Sequence, residues 1–207
     1  MTTVIINYGA GNVESVANAL RAVGEGEEII ISSNPLDLIR ADRLFLPGVG
    51  AFSDCMSGLA SSGLLSEINQ QVLVEKKPLL GICVGMQVMA SVGFENGKHQ
   101  GLNFISGKVE KIKAQDGLKI PHMGWNEVNL KAQHPLLEGI KSGEHFYFAN
   151  SYHFICENAD EVLAEAEYGS KLSVVVAKNN VFGAQFHPEK SGEAGLKLLK
   201  NFLNWVL

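Results

Sequence analysis

From Thr3 to Gln87 the chain alternates short apolar runs with loops and amphipathic stretches, which leaves few architectures open. Thr3-Val4-Ile5-Ile6 reads as a β-branched strand, followed by the loop Asn7 to Asn12. Val13, Val16, Ala17, Leu20 and Val23 then recur at helical spacing, and Gly24 and Gly26 end that helix. Ile29 to Ile31 is the next strand, and Arg43 to Leu46 another, closed by Pro47-Gly48-Val49-Gly50. A helical stretch from Phe52 to Val74, interrupted near Gly63, precedes the strand Pro78 to Cys83 and a further helix. Such alternation predicts an α/β fold, a parallel sheet covered by helices on both faces. Ligands in such sheets bind off the carboxyl ends of the strands. Tyr8-Gly9, Gly48-Val49 and Cys83 all fall there.

The pattern changes after Gly101. Segments 109–112, 127–130, 145–148, 152–156, 162–168, 172–177 and 181–186 read as short strands, the last two joined by the hairpin signal Asn179-Asn180. A final helix carries Leu198, Leu199, Phe202, Leu203 and Val206 on one face, with Ser191 as N-cap. The absence of a Pro/Gly/Ser-rich linker makes this half an extension of the same sheet, so a single domain over 1–207 is expected. A net charge of -5 with no basic run offers no footprint for nucleic acid or an anionic membrane. No apolar stretch reaches membrane-spanning length, and the N-terminus shows no basic leader, so a cytoplasmic protein is expected. Cys55, Cys83 and Cys156 form neither a disulfide framework nor CxxC pairs, which suits a reducing compartment and predicts no metal. Gly9-Ala10-Gly11 lacks the third glycine of a dinucleotide fingerprint, and no cofactor is expected.

The chemistry centres on Gly81-Ile82-Cys83-Val84-Gly85-Met86-Gln87. A strand ending in Gly-x-nucleophile-x-Gly and turning at once into a helix is a nucleophile elbow. The small residues permit the sharp turn, and a helix N-terminus favours a thiolate. The other reading of a glycine-flanked cysteine is a buried filler. A nucleophile needs a base, and the base an orienting group. Of six histidines, only His187 follows a strand end with a carboxylate close behind, in Gln185-Phe186-His187-Pro188-Glu189. Pro188 restricts His187 to a defined turn, from which Glu189 can reach back to one ring nitrogen.

With both segments in view, the chain resembles the class I, triad-type glutamine amidotransferases. More narrowly, Tyr8 to Asn12, Leu46 to Phe52, Pro121-His122-Met123-Gly124-Trp125-Asn126 and Phe182 to Ser191 resemble the glutaminase subunits of imidazole glycerol phosphate synthases. The resemblance implies a three-layer, flavodoxin-like open mixed sheet and hydrolysis of glutamine through a γ-glutamyl thioester. It assigns Cys83 as nucleophile, His187 as base and then acid, and Glu189 as the group orienting His187. Val84 N–H and Val49 N–H, the latter presented by a turnover of the Gly48-Val49 peptide, would form the oxyanion hole. Gln87, Glu95, Gly50, Ser151 and Tyr152 would line the glutamine pocket. Asn150 stands where the family has a histidine, and Asn7 where it has an aspartate.

The resemblance also implies a partner. The chain leaves no room for a synthase domain after its last helix, so ammonia would pass to a (β/α)8-barrel cyclase subunit in a heterodimer. Asn12, Met123, Trp125 and Lys190 match positions near that interface. Two other readings stay open: a paralogous glutaminase feeding ammonia to a surface-sugar amidination enzyme, and a non-catalytic flavodoxin-like module.

Overall fold

The computed structural model describes residues 1–113 and 117–205. Strand β1 (Thr2–Ile6) leads into helix α1 (Val13–Val23), then β2 (Glu28–Ser32), α2 (Pro35–Arg40), β3 (Arg43–Leu46), α3 (Phe52–Ser61) and α4 (Leu65–Asn69). A π-helical turn at Gln70–Val74 precedes β4 (Leu79–Ile82) and α5 (Val84–Gln87). The remaining strands are β5 (Val92–Gly93), β6 (His99–Gln100), β7 (Gly107–Lys111), β8 (His122–Leu130), β9 (Glu144–Asn150), β10 (Tyr152–Cys156), β11 (Val162–Glu167), β12 (Lys171–Lys178) and β13 (Val181–Ala184). Helix α6 (Gly192–Asn204) closes the described fold.

The sheet runs β2-β1-β3-β4-β13-β12-β10-β7-β5-β6. Its first five strands are mutually parallel, and β12, β10 and β7 continue antiparallel. β12 also pairs with β11, which joins the hairpin of β8 and β9. Every residue of β3, β4 and β13 is buried. Strands covered on both faces must be apolar, and these runs meet that demand except at Arg43, whose buried guanidinium lies 3.6 Å from Glu27 Oε2. The architecture is the three-layer, flavodoxin-like mixed α/β arrangement expected.

Several local features depart from the sequence reading or refine it. Helix α2 was not anticipated, although Asn34 caps it by accepting from Leu36 N–H at 3.1 Å and Pro35 opens it. Strand β8 begins at His122, well before Glu127, because Met123, Gly124 and Trp125 pair with Ala149, Phe148 and Tyr147 of β9. The helix after the elbow is four residues long, since Val88, Met89 and Ala90 give their carbonyls to the Leu102–Phe104 loop. Ser191 sits at the N-cap position of α6, but its hydroxyl is used elsewhere. Val206, assigned to the apolar face of α6, lies outside the described residues.

Candidate active site

The parallel register of β4 and β13 sets Ile82 opposite Ala184, so residues 83 and 185 leave adjacent strand ends side by side. Cys83 N–H donates to the Ala184 carbonyl at 2.8 Å, tying the elbow to that strand. Cys83 has φ 56° and ψ -116°, a left-handed strained conformation that costs roughly 1–3 kcal/mol. The glycines make the turn possible. A Cβ on Gly85 would overlap the Leu46 carbonyl oxygen, and one on Gly48 would overlap Gly85 N. Helix α5 is too short to carry much of a dipole, so the expected thiolate stabilisation by the helix N-terminus is small here.

His187 N–H is anchored to the Tyr147 carbonyl at 2.9 Å. The Ser191 hydroxyl donates to the His187 carbonyl at 2.6 Å and accepts from Tyr147 N–H at 3.0 Å. The His187 turn is thereby stapled to β9. Its Nδ1 lies 2.9 Å from Glu189 Oε1, both side chains being buried. The other ring nitrogen is left for the Cys83 thiol, whose interaction with the ring favours its protonated form. Burial pulls the His187 imidazolium down, but the bonds and charges of Cys83 and Glu189 outweigh it and raise it to about 9. Burial pushes the Cys55 thiol up and the Cys156 thiol up to about 12.

The segment Pro47 to Gly50 lies against the elbow, and here the expected geometry is altered. Val84 N–H donates to the Gly48 carbonyl at 3.3 Å, so one expected oxyanion donor is occupied. The Gly48-Val49 peptide therefore presents its carbonyl to Val84, and Val49 N–H takes the opposite direction across that planar peptide. The peptides on either side are held too. Tyr8 O–H donates to the Pro47 carbonyl at 2.6 Å, and Cys55 Sγ donates to the Val49 carbonyl at 3.5 Å. Gly50, at φ 90°, needs to be glycine.

The expected glutamine-pocket residues are also held by the protein itself. Gln87 is buried, and its amide nitrogen donates to the Tyr152 carbonyl at 2.9 Å and to Gln185 Oε1 at 3.0 Å. Glu95 accepts from Phe52 N–H at 2.8 Å, which places this carboxylate at the start of α3 beside Gly50. Ser151 lies at the bend between β9 and β10. Asn150 is buried and donates to the Tyr152 carbonyl at 3.0 Å. Sequence reasoning missed Gln185, whose amide nitrogen lies 3.9 Å from Cys83 Sγ. Nothing in its own residue pattern marks it, since its place beside Cys83 comes from the pairing of β4 with β13.

Residues 4–205 match the family model of class-I glutamine amidotransferases. The chain belongs to this family. It is 46% identical to the imidazole glycerol phosphate synthase subunit HisH of Bradyrhizobium diazoefficiens, with 99% of each chain covered. It is 47% identical to the HisH subunit of Rhodospirillum rubrum over 100% of each chain. It is also 47% identical to a subunit named HisH 1 of Campylobacter jejuni, covering 96% of this chain and 97% of that one. Among solved structures, PurLQS of Thermotoga maritima superposes with TM-score 0.74 at 19% identity, covering 98% of this chain and 97% of that one. The crystal structure of a glutamine amidotransferase gives TM-score 0.73 at 21% identity, covering 98% of this chain and 99% of that one. At these identities the structural matches show the fold.

Beside the candidate site, the amidotransferase exposes an aromatic face. Met123 is 65% and Trp125 56% exposed. The Trp125 ring meets Tyr147 edge-on at 6.1 Å, and Lys190 Nζ lies 5.9 Å from the Tyr147 ring centre. Tyr147, which the sequence reading did not single out, links this face to His187 through its backbone. Asn12 caps α1 by accepting from Ser15 N–H at 3.4 Å, and with Val49, His187 and Glu189 it lines one small cavity. Among the described residues, no helix of the amidotransferase is long and apolar enough to cross a membrane.

Proposed function

We propose that this chain hydrolyses L-glutamine to L-glutamate and ammonia as the glutaminase subunit of an imidazole glycerol phosphate synthase in histidine biosynthesis. The observation that carries the reading is the buried line Cys83–His187–Glu189 off the ends of two adjacent parallel strands. Cys83 and His187 react as a thiolate–imidazolium pair. The sulfur attacks the γ-carboxamide carbon, and His187 delivers its proton to the departing ammonia. The resulting γ-glutamyl thioester is cleaved by water: one proton goes to His187, the hydroxyl goes to the acyl carbon as the glutamate carboxyl, and sulfur leaves as the thiolate, so the thiolate–imidazolium pair is restored. Glu189 fixes the ring and balances its charge.

Each tetrahedral intermediate needs donors for its oxyanion. Turnover of the Gly48-Val49 peptide supplies both: it frees Val84 N–H and swings Val49 N–H toward Cys83. Gly50, Ser151, Tyr152, Gln87 and Glu95 shape the pocket for the amino-acid end of glutamine. Substrate entry then requires Glu95 to exchange its bond to Phe52 N–H for the substrate ammonium. No cofactor enters the reaction.

The chain acts as one domain over 1–207 in the cytoplasm, where three free thiols are stable. Ammonia passes to a (β/α)8-barrel cyclase docked, as the second subunit of a heterodimer, on the face formed by Asn12, Met123, Trp125 and Lys190. An exposed tryptophan is the type of anchor such interfaces favour. The test is complementation of a histidine auxotroph lacking its HisH subunit, with the cyclase gene intact or supplied from the same source. Growth with the wild-type chain and none with Cys83→Ala is expected. Growth supported equally by Cys83→Ala refutes the nucleophile, and no growth beside glutaminase activity in vitro moves the acceptor to another pathway.

A further inference from the structure

The mechanism above leaves unused a buried amide that reaches the reacting sulfur. Gln185 is 1% exposed, and its Nε2 lies 3.9 Å from Cys83 Sγ. Sheet register places it there: with Ala184 opposite Ile82, the next residue of each strand is Gln185 or Cys83. Which end of the amide faces sulfur is fixed by a chain of bonds that begins at a backbone carbonyl. The Tyr152 carbonyl can only accept, and it takes a hydrogen from Gln87 Nε2 at 2.9 Å and another from Asn150 Nδ2 at 3.0 Å. The second Gln87 hydrogen goes to Gln185 Oε1 at 3.0 Å. Were Gln185 turned over, two NH2 groups would face each other in the interior, an unpaired arrangement that burial penalises heavily. The NH2 of Gln185 is therefore left pointing at the sulfur.

We propose that Gln185 is a second side-chain donor to the ionised Cys83 sulfur, alongside His187, held in that orientation by Gln87 and the Tyr152 carbonyl. An N–H aimed at a sulfur anion makes a charge-assisted bond, whereas the same N–H gains little from a neutral thiol. The effect therefore falls on the reactive form. Helix α5, with four residues, supplies little of the stabilisation that a long helix would give a thiolate, and Gln185 makes up part of the difference. The other titratable groups acting on Cys83 are His187, with Glu189 behind it, and the Tyr8–Cys55 pair. The inference rests on the glutaminase reading of Cys83.

The experiment measures alkylation of the full chain by iodoacetamide between pH 6 and 10, read site by site by mass spectrometry. The proteins compared are wild type, Gln185→Met, Gln185→Glu and Cys83→Ala. Gln185→Met fills the space without a donor. Gln185→Glu keeps an acceptor for Gln87 and turns an oxygen toward the sulfur, so it carries the test even if the methionine variant does not fold. At pH 7 the methionine variant should react about tenfold more slowly than wild type, the effect of one pH unit on ionisation, and the glutamate variant more slowly still. All rates should converge at high pH, where every sulfur is ionised. A uniform slowing across the range, or equal rates at pH 7, overturns the donor role of Gln185. Unchanged total alkylation in Cys83→Ala instead overturns the nucleophile on which it rests.

Discussion

The His187–Glu189 pair should leave a signature in stability as well as in rate. An ordinary histidine titrates at 6.5, and in the folded chain His187 holds its proton to about 9. The gap between those values corresponds to about 3 kcal/mol of stability. Because the folded value is raised, this contribution is fully present below pH 6.5 and is lost as pH climbs through 9. Cys83 and Glu189 share it, so replacing Glu189 by Gln should remove roughly half, about 1–2 kcal/mol, while keeping a hydrogen-bond acceptor beside Nδ1. Urea unfolding of wild type and Glu189→Gln at pH 6, 7.5 and 9.5 measures the difference directly. The variant should be the weaker protein at pH 6, and the two should draw level by pH 9.5. A gap of constant size across that range would show that the glutamate acts through packing, and the charge argument would fail.

Ser191→Ala removes a donor from the His187 carbonyl and an acceptor from Tyr147 N–H, both inside the protein. It should cost about 2 kcal/mol in chemical unfolding and lower glutaminase turnover by loosening the base. Trp125→Ala should leave the isolated chain within about 0.5 kcal/mol of wild type, since the ring is mostly exposed, yet weaken cyclase binding more than tenfold by calorimetry. His122 lies stacked between Phe148 and Tyr168, and burial holds it neutral down to about pH 4. That depressed value stabilises the fold above pH 6.5 and is lost as pH falls toward 4, so thermal melts of His122→Phe should fall less steeply with acid than wild type.

The parallel half of the fold could be read from its residues because strands buried on both faces are uninterrupted apolar runs. Leu44 to Leu46 and Leu79 to Ile82 are of that kind. The residue pattern predicts only the end of strand β8, because Gly124 and Asn126 are poor strand formers and Met123 and Trp125 face outward. The cross-strand pairing with β9 overrides those local preferences. Cys83, His187 and Glu189 stood out because nucleophile, base and acid each carry a recognisable local pattern. Gln185 had none: its relation to Cys83 exists only once β4 and β13 are side by side. Glu95 stands in no local pattern, and its bond to Phe52 N–H spans more than forty residues of chain. The direction of the Gly48-Val49 peptide is beyond residue types altogether, since the same Pro-Gly-Val-Gly accommodates both orientations.

That peptide sets how tightly ammonia release can be governed. A backbone hydrogen bond such as Val84 N–H to Gly48 is worth about 1 kcal/mol net. Held by that bond alone, closed molecules outnumber open ones by roughly fivefold. The isolated chain would then always contain a minority of competent molecules and spend glutamine slowly with no acceptor present. The same shallowness makes the catalyst easy to command. Val49 is 43% exposed, and one comparable contact offered there by a docked subunit is enough to bring the two populations level, and two to reverse them. Responsiveness and waste have a common origin here, and a tighter lock would reduce both together.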